Sequence, residues 1–340
     1  MSKNKKTIKN LIIFILLIIF TFYIILKDQD IVEITQVLRN VRLEYVVIAI
    51  VAMLIYLVLE SVNMGRTLKT LNEKSSFIQN FRYVLIGFFF SSITPAASGG
   101  QPMQIYYMHK NGISIANSTL SLLINLCSFQ IITISFAMIS LIFNYKYLTT
   151  GLVWLFVIGV TLNSVALSLL LIGIFSKKLS ACLVKISVKI LSFFKIKNIE
   201  EKQEKLEKEL FKYQGSAAYI KQNIEVMLKT ILTTFVQILF YYSIPFWIYS
   251  SFGFSEYNII QIISLQAILY ATVSGIPLPG AVGVSEGGFL GIFKNVFTTS
   301  TLNSAMILNR GVSFYLFVLI SAILVISQAL VANKKSDLTD

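Results

Sequence analysis

The chain has 340 residues, 56% of them hydrophobic and only 13% charged, with a mean hydropathy of +0.75. That balance excludes an ordinary soluble domain and indicates a membrane protein. The net charge of +13 does not point to nucleic acid, because the lysines and arginines fall in the loops between apolar runs.

The first run, Leu11–Leu26, follows Lys3, Lys5, Lys6 and Lys9, as the core of a signal peptide would. No small-residue cleavage site comes after it, only Lys27-Asp28-Gln29-Asp30, so it reads as an uncleaved first helix. Val46–Leu59 is the second apolar run, with Glu60 at its end. Then comes Thr94-Pro95-Ala96-Ala97-Ser98-Gly99-Gly100-Gln101-Pro102, a polar, proline- and glycine-rich stretch inside apolar surroundings. Proline removes a backbone donor and glycine weakens a helix interior, so no continuous lipid-facing helix can run through it.

Further runs are Ser118–Phe143, Leu152–Phe175, Thr230–Tyr249 and Val312–Val331, each long enough, or nearly so, to cross ~30 Å of hydrocarbon. Between two of them lies a basic segment. Lys178, Lys185 and Lys189 share one face of Lys177–Lys197, opposite Leu183, Ile186, Ile190 and Phe194, which suits a helix lying on anionic lipid. An ordinary positive-inside loop is the alternative. Glu201/Lys205 and Glu204/Lys208 then pair at i, i+4, as on a solvated helix. A second break follows at Gly275-Ile276-Pro277-Leu278-Pro279-Gly280-Ala281-Val282-Gly283-Val284-Ser285-Glu286. The two breaks hold four of the 5 prolines.

Basic residues set the orientation: four at the N-terminus, three in Arg66–Lys74, twelve in Lys177–Lys229, then Lys334 and Lys335, all placed in the cytoplasm. Both termini are therefore cytoplasmic, provided each break belongs to a hairpin that enters and leaves on one side. The expected fold class is an all-α integral membrane protein with six full spans and two re-entrant helical hairpins in an inverted repeat. The first repeat is residues 1–150 with a hairpin at 77–110. The second is residues 151–335, with a cytoplasmic insert at 176–229 and a hairpin at 259–297. Paired breaks of this kind are the best sequence pointer to a transporter's binding site.

Ionisable groups in the apolar region are costly and mark function or a structural pair. Glu286 follows Ser285, an N-cap residue, and opens a restarted helix. It is expected to bind a cationic head group or a coupling ion, or to partner Arg310. Arg310 is read as starting the last helix, where it holds a lipid phosphate or snorkels to the interface. Gly99, Gly100 and Gln101 restart a helix at the first break, and its free N–H groups suit a phosphate. Pro95 and Pro279, each four residues ahead of a glycine (Gly99, Gly283), are the sequence echo between halves. Ser121, Asn125, Ser128 and Ser135 form a polar stripe that either lines a head-group path or glues helices. His109 reads as an interfacial anchor. Two isolated cysteines, Cys127 and Cys182, give no disulfide framework or zinc site. With no Walker A, H-E-x-x-H or G-x-S-x-G motif, catalytic residues, metal and cofactors are all expected to be absent.

At these hairpins the chain resembles the lysylphosphatidylglycerol synthase transmembrane region, a flippase-like family that includes the membrane half of the bacterial multiple peptide resistance factor. The resemblance covers roughly residues 8 to 332. It rests on Gly87 ahead of Ser92–Pro102, on Pro277–Gly287, and on Arg310-x-x-x-x-Tyr315. It implies a lipid flippase in the bacterial cytoplasmic membrane that moves an aminoacylated or otherwise charged phospholipid, or a lipid-linked phosphate, between leaflets. Where many members carry glutamate after the first glycine, this chain has Gly100-Gln101. The lysyl-transfer domain of the larger members is not expected here, so phosphatidylglycerol lysyltransferase activity is not expected of this chain alone. The alternative is a membrane component of lysyl-phosphatidylglycerol synthesis working with a separate acyltransferase. Partners are then the phospholipid substrate, anionic membrane lipids, and a second copy or that acyltransferase, with no nucleic acid.

Overall fold

The computed structural model describes residues 31–144, 150–176, 211–218, 221–276 and 278–336, with Leu16 and Lys208 besides. The expected first span, the amphipathic stretch at 177–197 and the charge pairs at 201–208 lie outside or largely outside those residues. Among the described residues the structure is helices and turns. They are α1 (Ile31–Arg39), α2 (Leu43–Thr70), α3 (Phe77–Ser92), α4 (Gly100–Lys110), α5 (Ile115–Asn144), α6 (Thr150–Phe175), α7 (Ile224–Ser251), α8 (Ile259–Val273), α9 (Val284–Phe293), α10 (Thr299–Arg310) and α11 (Leu316–Ser336).

Five stretches among the described residues are long and apolar enough to cross a membrane: Leu43–Thr70, Ile115–Asn144, Gly151–Ile172, Ile224–Ser251 and Thr299–Gln328. α6 makes the point most plainly. Its Trp154, Leu155, Ile158, Leu162, Val165 and Leu169 are all exposed, a face stable only against hydrocarbon. The protein is a multi-pass, all-α membrane protein.

α2 and α7 form the most extensive helix pair, and polar residues stitch them together. Asn63 Nδ2 donates to Thr234 Oγ1 at 3.0 Å. Arg66 Nη1 donates to Asn63 Oδ1 at 2.8 Å and Nη2 to Thr233 Oγ1 at 2.9 Å. Such bonds hold helices together where no hydrophobic contrast with the solvent exists. Ser121 is bonded to Thr67 across α5 and α2, so that member of the predicted stripe is glue. Ser128 and Ser135 bond only to carbonyls one turn back in their own helix.

The two proline-rich breaks fold alike. Each hairpin starts at a capping box with glutamine at N3: Ser76 with Gln79 for α3, and Asn258 with Gln261 for α8. Each then turns through a short 3₁₀ segment opened by proline, Pro95–Ala97 and Pro279–Ala281. In both, the two residues after the proline are left-handed: Ala96 and Ala97 at φ 52° and 53°, Gly280 and Ala281 at φ 59° and 49°. In both, the next helix begins five residues after the proline, at Gly100 and at Val284. The two turns pack against each other.

The end of the chain differs from expectation. Arg310 is expected from the sequence to start the last helix. Instead α10 runs into α11 through a π-helical turn, Gly311–Tyr315. Arg310 therefore sits deep inside one long helical element, at a widened turn of the kind often found at functional sites.

Candidate functional site

The pairing of Glu286 with Arg310 organises the second break. Arg310 Nε donates to Glu286 Oε1 at 2.8 Å, and Arg310 Nη2 donates to the Gly280 carbonyl at 3.1 Å. Gly283 N–H donates to Glu286 Oε2 at 2.7 Å, closing the start of α9, and Tyr315 Oη donates to Oε1 at 2.9 Å. The guanidinium also lies 4.3 Å from the Phe314 ring centroid. Glu286 is wholly buried and Arg310 is 7% exposed. A carboxylate so enclosed has its lone pairs committed to these donors, and the arginine is fixed in one direction.

That direction is toward a cavity of about 230 Å³ where the two breaks meet. Arg310, Ser285, Asn309 and Gln266 line it, with Ala96 and Ala97 from the first break and Gly280 and Ala281 from the second. A second cavity of about 390 Å³ adjoins it and shares Tyr56, Ser91, Ala96, Ala97, Tyr270 and Ser274. Its other walls carry Glu60, Asn63, Gln101, Gln104, Asn125, Gln130, Asn163 and Gln237. Ala96 and Ala97 are exposed and line both, so the cavities reach the surface beside the first break.

The predicted residues divide by position. Ser285 and Arg310 line the first cavity, and Gln101 and Asn125 line the second. Glu286 and Gly283 stand behind Arg310. Pro279 is buried and Pro95 exposed, each shaping its turn. Gly99 and Gly100 line neither cavity. Gly99 N–H already donates to Thr94 Oγ1 at 2.9 Å, and Gly100 is packed against Ser91 and Gly87. His109 is exposed at the end of α4.

Glu60, which the sequence puts at the end of the second apolar run, lines the larger cavity, and with it stand residues that sequence reasoning did not pick, among them Tyr56, Asn63 and Gln237. Their signal was periodic. Tyr56, Glu60, Asn63 and Thr67 follow i, i+4, i+7, i+11 on α2, and Thr230, Thr234, Gln237 and Tyr241 follow the same spacing on α7. A polar stripe on each of two apolar helices was legible, but not that the stripes face each other.

Fold and site together define a polytopic helical membrane protein with two broken hairpins meeting beside polar cavities. The chain belongs to the lysylphosphatidylglycerol synthase TM region family, which it matches over residues 8–321. It is also similar to the UPF0104 membrane protein MJ1595 of Methanocaldococcus jannaschii, 26% identical over 165 residues, 46% of this chain and 48% of that protein. That match spans about half the length of each.

Proposed function

We propose that the protein moves a phosphate-bearing lipid between the leaflets of a bacterial cytoplasmic membrane: an aminoacylated or anionic phospholipid, or a lipid-linked phosphate. The head group passes through the paired cavities while the acyl chains remain in the bilayer. Two hairpins re-entering from opposite faces, within an inverted repeat of six spans, provide the framework. The observation that carries this reading is Arg310, held by Glu286 and the Gly280 carbonyl and bordering the cavity at the junction of the two breaks. A planar guanidinium beside the start of a helix is suited to a phosphodiester. Glu286 acts in this scheme by positioning Arg310.

The test is leaflet exchange of a fluorescent phospholipid in liposomes that contain the purified protein, read by quenching of the outer leaflet. Wild-type protein accelerates exchange. Arg310→Lys, folded as judged by gel filtration, slows it at least ten-fold. Wild-type exchange no faster than empty liposomes removes the reading. The family description favours a second reading, a membrane component of lysyl-phosphatidylglycerol synthesis that works with a separate acyltransferase. Loss of lysyl-phosphatidylglycerol in a deletion strain, together with co-purification of that enzyme, would support it.

A further inference from the structure

The larger cavity has a chemistry of its own. Among the described residues its one charged lining residue is Glu60, and none of those on its walls is a lysine or arginine. No cationic side chain among the described residues pairs with Glu60, and Arg66, two turns on, is committed to Asn63 and Thr233. A phosphate would find no positive partner there. The remaining polar walls are chiefly carboxamides, and these fall into two groups. Asn63, Gln104 and Asn163 are tied into the scaffold through Thr234 Oγ1, the Tyr83 carbonyl and Ser274 Oγ. Among the described residues neither amide atom of Asn125 has a hydrogen-bond partner, and Gln130 Oε1 likewise has none, although these atoms are covered from solvent. Leaving buried polar groups without partners is costly, so groups stranded in this way suit a ligand that completes them.

A carboxamide offers donors and an acceptor side by side, which matches a hydroxyl, itself donor and acceptor. An ammonium would pair with Glu60 and the amide oxygens but offers no acceptor, so it would leave the Asn125 NH₂ group unmatched. Tyr56 and Tyr270 add ring faces for the apolar face of a cyclic polyol. The volume of about 390 Å³ falls in the range of small-molecule sites.

We infer that this cavity recognises a hydroxyl-rich head group, a sugar or cyclic polyol, joined to the phosphodiester that Arg310 binds next door. The inference rests on the lipid-transport reading and names its substrate class. Glu60 accepts from neighbouring hydroxyls, while Gln101, Asn125 and Gln237 fix the remainder.

The experiment uses the full chain in detergent, with binding followed by native mass spectrometry. The probes are phosphatidylinositol, phosphatidylethanolamine, phosphatidic acid and free inositol. Phosphatidylinositol is expected to bind at least ten-fold more tightly than the other three. Glu60→Leu and Asn125→Leu should each reduce that preference to about three-fold or less while leaving phosphatidic acid binding unchanged. Gln101→Ala, at the partly exposed edge of the cavity, serves the same purpose should those variants not fold. Equal or tighter binding of phosphatidylethanolamine overturns the inference, as does a preference that survives all three substitutions. Free inositol binding as tightly as phosphatidylinositol also overturns it, since the ligand would then be a soluble polyol. The two readings fail separately. Leaflet exchange without polyol preference sinks only the inference, and polyol preference without exchange sinks only the transport reading.

Discussion

Arg310 and Glu286, 24 positions apart, meet at 2.8 Å in the protein interior, and through that contact α9, α10 and the second proline turn become one unit. Breaking a buried pair from one side leaves the other charge stranded, at a cost of about 3–5 kcal/mol. Glu286→Ala and Arg310→Ala should each lower the melting temperature in detergent markedly. The double variant Glu286→Leu/Arg310→Met, which strands neither group, should recover most of the loss yet remain inactive in lipid exchange. A double variant as unstable as the two losses added together would contradict this coupling.

The two breaks were legible because proline and glycine act together on the backbone locally: Pro95 and Pro279 stand among glycines and open turns, whereas the lone Pro245 is carried inside α7. The five spans among the described residues were legible because lipid selects long apolar runs. The continuity of α10 with α11 was not, since Thr299, Ser300, Asn303 and Ser304 look like loop and become helical only in a packed setting. Ser304, Ala305 and Met306 are indeed buried. Nor could the chain order place Glu60 beside Gln237, since that juxtaposition belongs to the packing of α2 on α7. The partnership of Glu286 with Arg310 was one of two readings the sequence allowed, and the geometry is that of the pair.

Gly100 sits where α4 leaves the first break against α3. A Cβ there would lie 2.0 Å from Ser91 Oγ and 2.9 Å from the Gly87 carbonyl oxygen. Gly100→Ala must therefore push the hairpin arms apart, costing about 1–3 kcal/mol as overpacking does. In a Ser91→Ala background the closest clash is gone, leaving the Gly87 carbonyl oxygen at 2.9 Å and the Cβ of residue 91 at 3.3 Å. The penalty from thermal unfolding should be visibly smaller there. Equal penalties in both backgrounds would show that Ser91 does not set the spacing.

Outside the spans, Glu73 gathers three segments. Its Oε1 accepts from Ser114 N and Oγ and from Asn117 Nδ2, and Lys212 Nζ lies 3.7 Å away. Ser216 Oγ donates to Asn117 Oδ1 at 2.7 Å, so residues 211–218 dock on the same knot. Burial raises the Glu73 carboxyl, but the hydrogen bonds from Asn117 and Ser114, with the Lys212 charge, outweigh it and hold it below the ordinary value. A carboxyl lowered by folding stabilises above its unfolded value, about 4.3, and that contribution disappears as the pH falls through the folded value. Wild-type protein should thus lose protection of residues 211–218 from protease on acidification through this range. Glu73→Gln should be cleaved readily already at neutral pH, with little further change in acid.

Gly280 and Gly283 separate two kinds of backbone demand within one turn. Gly280, at φ 59° and ψ 14°, occupies the left-handed region that alanine enters at a cost of about 1–2 kcal/mol. The neighbouring Ala281, and Ala96 and Ala97 in the other turn, already tolerate it. Gly283, at φ 88° and ψ −48°, lies outside every region allowed to an L-residue with a Cβ. Its N–H must also keep pointing at Glu286 Oε2. Gly283→Ala can hold that bond only with strain, or relax and release the carboxylate that orients Arg310. Gly280→Ala should therefore leave lipid exchange within about two-fold of wild type and shift the melting point slightly. Gly283→Ala should cost up to about 3 kcal/mol and slow exchange as severely as Arg310→Lys does. Exchange measured for both variants in one liposome preparation decides the matter: equal loss would mean that turn flexibility, rather than the Gly283–Glu286–Arg310 relay, governs the site.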